Sequence, residues 1–285
     1  MVVQELIKPA SITVVGASNN TQKPGGKVIE NLIAGNFDGP IYPVNPKESE
    51  VQGLQAYAST GDLPKVELAI LAIPAKLCTE TARILSEEKG TKAFIILSAG
   101  FSEENEAGAE IEHEIVKIVE ENGGSLIGPN CIGVLTPTYN GVFTTPIPKL
   151  DPQGCDFLSG SGATAVFIME TGIPKGLTFS QVFSVGNSAQ IGVEEVLQYL
   201  DETFDPEKSS KVKLLYIESI NKPQKLLKHA KSLIRKGCRI AAVKAGSSSA
   251  GSRAASSHTG ALASSDTAVD ALFRKAGIVR CYGRD

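Results

Sequence analysis

His258 is the histidine with the most pointed chemical setting, within Gly246-Ser-Ser-Ser-Ala-Gly-Ser-Arg-Ala-Ala-Ser-Ser-His-Thr-Gly260. A neutral imidazole is nucleophilic near pH 7, so it can attack phosphorus and carry a phosphoryl group on nitrogen. Ser256, Ser257, Thr259 and Gly260 are small enough to let a phosphorylated ring move, and they offer hydroxyl and N–H donors to its oxygens. Glu218 follows the apolar run Val212-Lys-Leu-Leu-Tyr-Ile217. A carboxylate there that accepts the Nδ1–H of His258 would fix its tautomer, free Nε2 for attack and stabilise the cationic ring. A third group is Ser159-Gly-Ser-Gly162, where Ser159, Ser161 and Gly162 precede a helix-like segment and suit a phosphate at the positive end of the helix dipole. Each has a plainer alternative: a solvated Ser/Gly linker, an exposed glutamate at a strand end, and serines that only cap a helix.

These residues require strands and helices to hold them. Arg239-Ile-Ala-Ala-Val-Lys244 predicts a buried strand before the His258 loop, and residues 263–276 predict a helix after it. Cys155-Asp-Phe-Leu158 predicts the strand that feeds Ser159, with a helix over 163–170. Between them, residues 177–183 and 212–217 read as strands and 192–200 and 223–235 as helices. Glu218 and His258 are thus expected at the ends of consecutive parallel strands, which are often neighbours in space.

The first half alternates in the same way. Strands are expected at 11–15, 41–44, 68–73, 93–97 and 125–127, with helices at 25–34, 76–88 and 107–121. Such alternation implies a parallel sheet covered on both faces, a Rossmann-like α/β domain. Ligands of such sheets lie over the C-terminal strand ends. Those ends carry Gly16-Ala-Ser18, Val44-Asn-Pro-Lys47, Ile73-Pro74, Ser98-Ala-Gly-Phe101 and Gly128-Pro-Asn-Cys131. Backbone N–H groups at Gly16, Ala17 and Ser18 and the ammonium of Lys47 suit phosphates. Taken together the ends suit a long phosphorylated ligand; taken singly, Gly and Pro only punctuate loops. A dinucleotide is disfavoured, because G-x-G-x-x-G is absent and the second strand does not end in the acidic residue that holds a ribose. Pro146, Pro148 and Pro152 mark a boundary, placed so that the domains are 1–135 and 136–285.

Composition sets the limits. A chain of 285 residues with 42% hydrophobic and 21% charged residues fits two globular cores. The net charge of -3 and the lack of a basic patch give no support to nucleic-acid binding. Cys78, Cys131, Cys155, Cys238 and Cys281 are odd in number and contain no CxxC pair, so neither a disulfide framework nor a zinc site is expected. A reducing cytoplasm is the expected location, with neither an export signal nor a membrane span expected.

The motifs Gly16-Ala-Ser18, Val44-Asn-Pro-Lys47, Ser98-Ala-Gly-Phe101, Gly128-Pro-Asn-Cys131, Ser159-Gly-Ser-Gly162, Tyr216-Ile-Glu218, Lys244-Ala-Gly246 and Ser257-His-Thr-Gly260 occur in this order. In that order the chain resembles the α part of the nucleoside-diphosphate-forming acyl-CoA synthetases, a family that includes ADP-forming acetyl-CoA synthetases and the succinyl-CoA synthetase α subunit. The resemblance implies a Rossmann-like CoA-binding domain followed by a flavodoxin-like ligase domain, both built on parallel sheets. It implies that His258 is phosphorylated, that Glu218 steadies it, and that Ser159, Ser161 and Gly162 hold phosphate. Gly16, Ala17, Ser18, Lys47, Ile73, Pro74, Ser98 and Asn130 would hold coenzyme A, with Asn130 nearest the thioester. A short carboxylic acid, phosphate and an ATP-grasp β subunit or domain would complete the system as a hetero-oligomer, with Mg²⁺ and ADP or ATP on that partner. The chain departs from the family at Gly160, where relatives usually carry a larger polar residue, and it contains no ATP-grasp region. The ATP-grasp part is therefore expected on another chain or in a longer protein. A CoA-binding regulatory module, or the recognition part of a lysine acetyltransferase, is the alternative; retention of both His258 and Glu218 disfavours it.

Overall fold

The computed structural model describes residues 1–35, 37–246 and 266–282. In chain order the first unit runs α1 (Gln4–Ile7), β1 (Ile12–Val15), α2 (Pro24–Ala34), β2 (Ile41–Val44), β3 (Glu50–Val51), β4 (Leu54–Gln55), β5 (Leu68–Leu71), α3 (Ala75–Glu87), β6 (Ala93–Ile96), α4 (Glu106–Glu121) and β7 (Ser125–Ile127). Its sheet has the order β2-β1-β5-β6-β7 and every pairing is parallel. Every residue of β1, β5, β6 and β7 is buried, which explains their unbroken apolar runs: crossover helices cover both faces. Pro24 opens α2, where its missing N–H costs nothing, and Asn105 caps α4 by accepting from Gly108 N at 2.9 Å.

The second unit runs β8 (Gly133–Thr136), β9 (Tyr139–Val142), β10 (Leu150–Ser159), α5 (Gly162–Gly172), β11 (Phe179–Ser184), α6 (Val193–Glu202), β12 (Val212–Ile217), α7 (Pro223–Arg235), β13 (Arg239–Lys244), α8 (Asp266–Ala276) and β14 (Val279–Cys281). The sheet order is β14-β13-β12-β10-β11-β8-β9. Strands β10 to β14 are parallel to one another and wind like the first sheet. In each, the second parallel strand lies on one side of the first and the third on the other. Each sheet therefore has a switch point, between β1 and β5 and between β10 and β12, where a crevice opens at the C-terminal ends.

The hairpin β8–β9 adds two antiparallel strands to the edge beyond β11. Its two-residue turn, Pro137-Thr138, is too short for the crossover that a parallel neighbour needs. The expected domain limit at 135/136 falls inside β8, so this hairpin belongs to the second sheet while it grips the first unit. Tyr139 OH donates to Leu6 O at 2.7 Å, Thr138 Oγ1 to Ile7 O at 2.8 Å, and Asn31 Nδ2 to Val142 O at 2.7 Å. One buried cluster continues from Val14 and Leu32 through Tyr139 to Phe183 and Leu215. The two units share a core.

Buried carboxylates join α6 to α7. Asp201 meets His229 Nδ1 and Lys236 Nζ, each at 2.8 Å, and Glu195 meets Lys222 Nζ and Lys225 Nζ at 2.8 and 2.7 Å. Burial works to raise both carboxyls, but these hydrogen bonds outweigh it and hold both below the ordinary range. A carboxyl depressed in the folded state stabilises fully above its unfolded value, about 4, and loses that contribution as pH falls through the folded value. Urea midpoints should stay level from about pH 7 to about pH 5 and drop below about pH 4, with part of the drop removed in Asp201→Asn. A midpoint that rises on acidification would contradict this assignment.

Candidate active site at the two switch points

At the second switch point β10 ends in Ser159, and the turn Gly160-Ser161 leads into α5. Ser161 caps that helix, its Oγ accepting from Thr164 N at 3.3 Å. Ser159 is fully buried; its Oγ donates to Ser161 O at 2.7 Å and accepts from Ser161 N at 3.2 Å, so it braces the turn. Strand β12 ends at Ile217 and delivers Glu218 beside this turn, with Gly160 N bonded to Tyr216 O at 2.8 Å. A Cβ added at Gly160 would meet Glu218 atoms at 3.4 to 3.6 Å, ordinary contact, so the backbone here does not itself require glycine. Lys244, at the end of β13, is buried, which pushes its ammonium down from the usual lysine range against the raising influence of Glu218.

A cavity of about 230 Å³ opens between the two units, and Asn130, Ser161, Gly162, Asn187, Glu194 and Glu218 are on its wall. The structure thus brings together the predicted Asn130, Ser161, Gly162 and Glu218. Cys131 is also on the wall, but burial pushes its thiol up to about 12, so it is not a nucleophile at neutral pH. All five cysteines are free. His258 lies outside the described residues.

Sequence reasoning reads a turn at Ser184-Val-Gly-Asn187, after β11, but gives it no role in the site. Gly186 has φ +54 and a Cβ there would lie 2.2 Å from Pro129 O, so only glycine lets the loop press onto the first unit. Asn187 N donates to Pro129 O at 2.9 Å, and Asn187 Nδ2 reaches Glu103 Oε2 at 2.5 Å and Glu112 Oε2 at 3.1 Å. Glu103 also accepts from Gly100 N at 2.7 Å. Burial opposes its charge, yet Asn187 and the backbone donors hold its carboxyl below the usual value. Glu194, only 4% exposed, accepts from Asn221 N at 2.8 Å and Lys222 N at 2.9 Å and so pins the end of the Glu218 loop. A glycine inside Ser-Val-Gly-Asn was the one available signal; the carboxylates gave none.

The first switch point carries the other predicted residues. Gly16 has φ +86, and a Cβ there would lie 2.4 Å from Ala72 O, so β1 and β5 close only around a glycine. Ala17 is 1% exposed and Asn45 Nδ2 holds its carbonyl at 2.8 Å; Gly16 N and Ala17 N donate to Val44 O at 3.1 and 3.2 Å, so the strand pairing takes up two of the N–H groups expected to meet phosphate. Gln52, on the β3–β4 turn, donates to Ser18 O at 2.9 Å and Gly26 O at 2.8 Å. Ser18 and Ile73 are half-buried, and Lys47 and Pro74 are exposed. Ser98 Oγ donates to Ile73 O at 2.5 Å, and Ser98 O accepts from Asn130 N at 2.9 Å. These residues form a rail along the C-terminal edge from β2 to β7, with an ammonium at one end and Asn130 in the cavity at the other. An elongated phosphorylated molecule with a reactive tip fits that arrangement. Among the described residues no group of metal ligands is present.

A model of the CoA binding domain matches residues 10–137, and one of the succinyl-CoA ligase like flavodoxin domain matches residues 152–285. The alpha subunit of acetate–CoA ligase (ADP-forming) II from Pyrococcus furiosus is 39% identical over 272 residues, 95% of this chain and 58% of that subunit. The chain thus joins a CoA binding domain to a succinyl-CoA ligase like flavodoxin domain and is similar along almost its whole length to an ADP-forming acetate–CoA ligase. Another ADP-forming synthetase, acetate–CoA ligase (ADP-forming) I of Archaeoglobus fulgidus, is 36% identical over 279 residues, 97% of this chain and 39% of that protein. The dinucleotide forming acetyl-coenzyme A synthetase 1 of Ca. Korarchaeum cryptofilum, in complex with phosphate and ADP, matches with a TM-score of 0.89 and 30% identity. That match covers 98% of this chain and 59% of the Korarchaeum chain. The chain therefore spans less than two thirds of these synthetases. Its two units are a CoA-binding domain and a succinyl-CoA ligase like flavodoxin domain, in that order.

Proposed function

We propose that this chain is the α part of an ADP-forming acyl-CoA synthetase that interconverts acyl-CoA, phosphate and ADP with acid, CoA and ATP. The observation that carries the proposal is the shared cavity: Asn130, at the end of the rail, and Ser161, Gly162 and Glu218, at the second switch point, are on one wall system. Coenzyme A lies along Gly16, Ala17, Ser18, Lys47, Ile73, Pro74 and Ser98, with its thioester at Asn130. Phosphate sits at the start of α5, held by Ser161 and Gly162, with Ser159 keeping the turn in shape. Phosphate oxygen attacks the thioester carbonyl, the C–S bond breaks, and acyl phosphate and CoA thiolate form. Nε2 of His258 then attacks phosphorus, and the acyl carboxylate leaves. Glu218 orients the imidazole and offsets its positive charge while it carries the phosphoryl group.

The phosphoryl group passes to ADP on an ATP-grasp partner, with Mg²⁺ accompanying the nucleotide. Movement between two stations explains why the histidine stands in a run of Ser and Gly. A modest cavity favours short acids, and the cytoplasm, with reduced thiols, is the expected location. The test is turnover with the partner supplied: CoA release from short acyl-CoAs, followed with a thiol reagent, should require both phosphate and ADP. Release that ignores phosphate, or none from any acyl-CoA tried, would overturn the proposal.

A further inference from the structure

Asn187 is fixed in orientation chiefly by two carboxylates, which can only accept. Its Nδ2 faces the carboxylates of Glu103 at 2.5 Å and Glu112 at 3.1 Å, with Ser102 Oγ at 3.3 Å. Carboxylates have no hydrogen to give, so the amide of Asn187 cannot turn over without setting oxygen against oxygen. Its Oδ1 therefore faces the other way, towards Asn130, whose Nδ2 lies 3.4 Å from it. The side chain of Asn130 has one kind of atom that can meet an oxygen, its Nδ2, so its own orientation follows. That leaves Asn130 Oδ1, and the second hydrogen on Nδ2, for other partners. Both asparagines are on the cavity wall.

The surrounding backbone makes this arrangement stiff. Gly186 packs where no side chain fits, Asn187 N and Ala189 N bond to Pro129 O and Gly128 O, and Asn130 itself has φ 59. Glu103 is held in place by the amide of Gly100 at 2.7 Å and that of Phe101 at 3.3 Å. Glu112 is held by Ser102 Oγ at 2.8 Å.

We infer that Glu103 and Asn187 are positioning residues: through Asn187, the Glu103 carboxylate from the first unit sets which face Asn130 presents to the reacting end of acyl-CoA. Asn130 then offers a fixed acceptor and a fixed donor to the thiol and carbonyl groups of a pantetheine thioester. This rests on the function proposed above, because it concerns the same cavity. It adds two residues, 103 and 187, that join the two units at the point where the thioester must be aligned with phosphate.

The test is a double-mutant cycle on single-turnover phosphorylation of His258, with acyl-CoA, phosphate and Mg²⁺ supplied to the whole chain. Asn187→Leu keeps the volume and removes the acceptor. It should lower the rate at saturating acyl-CoA by about tenfold or more while half-saturation shifts less than about threefold. Glu103→Gln, which can still accept from Gly100 and Phe101 and so protects the test against a folding defect in the first variant, should lower the same rate by about threefold. In an Asn130→Ala background, Asn187→Leu should change the rate by less than about twofold, because the orientation it controls is gone. Equal losses in both backgrounds, or no loss in either variant, would overturn the relay and leave the synthetase proposal standing. No phosphohistidine in the unaltered chain with any acyl-CoA would overturn both.

Discussion

Lys213→Met should destabilise the chain by about 3–5 kcal/mol, the largest loss expected from any single change outside the site. Lys213 and Asp156 are register partners on β12 and β10, with side chains 1% and 3% exposed, and they form an ion pair inside the sheet. Lys213 Nζ also donates to Ser210 O at 2.6 Å, and Asp156 Oδ1 accepts from Gln181 Nε2 at 3.0 Å on the next strand. Methionine fills the volume but leaves a carboxylate in the core with one neutral donor. A buried charge without its counter-ion costs far more than the pair contributes. Urea unfolding at neutral pH would measure the loss. The double change Asp156→Leu with Lys213→Met should recover most of it, since an apolar pair of similar volume replaces a buried ion pair at little cost. A single variant within about 1 kcal/mol of the original would show that the pair is solvated in solution.

Glu218→Gln should slow phosphorylation of His258 by roughly a hundred- to ten-thousandfold while CoA binding stays unchanged. The separation follows from geometry. Glu218 is at the β10–β12 switch point on the cavity wall, whereas most of the rail lies at the ends of β1, β2, β5 and β6. Glutamine keeps the shape and loses the charge that would orient and balance an imidazolium. Calorimetric titration with CoA, beside single-turnover labelling, would separate the two effects. Equal weakening of both would mean that Glu218 supports the fold of the cavity and has no part in phosphoryl transfer.

Most of the parallel framework was legible in the sequence because its signals are local. The four-residue runs of β1, β5 and β6 are buried on both faces, and such strands show as continuous apolar stretches. Helix α2 begins at a proline and α4 at an asparagine cap, both ordinary start signals. The β8–β9 hairpin was not legible: Pro137 and Gly141 look like linker punctuation, and only pairing with β11 and the grip of Asn31 on Val142 O make strands of it. The ribbon β3–β4, which brings Gln52 to Ser18, is two residues a side and has no periodicity to detect.

In the site the same division holds. Gly16, Ser161, Gly162 and Glu218 could be picked out as candidates because strand ends in parallel sheets mark ligand positions before any contact is known. Ser159 was expected to donate to phosphate, whereas its hydroxyl is bonded within its own turn. Glu103 and Asn187 were missed because they are 84 residues apart, on different sheets, and meet only when the loop after β11 docks on the first unit. Nothing in a glutamate beside Ser102 and Glu104 announces a partner at that distance.

The central claim is that His258 carries a phosphoryl group taken from an acyl phosphate made in this cavity. Phosphopeptide mass spectrometry at alkaline pH, after incubation with phosphate, Mg²⁺ and a panel of short acyl-CoAs, tests it most directly. The account predicts phosphate on the His258 peptide, dependent on acyl-CoA and lost in His258→Ala. An unmodified peptide with every acyl-CoA, even when an ATP-grasp partner is supplied, would contradict it and favour a CoA-binding regulatory module.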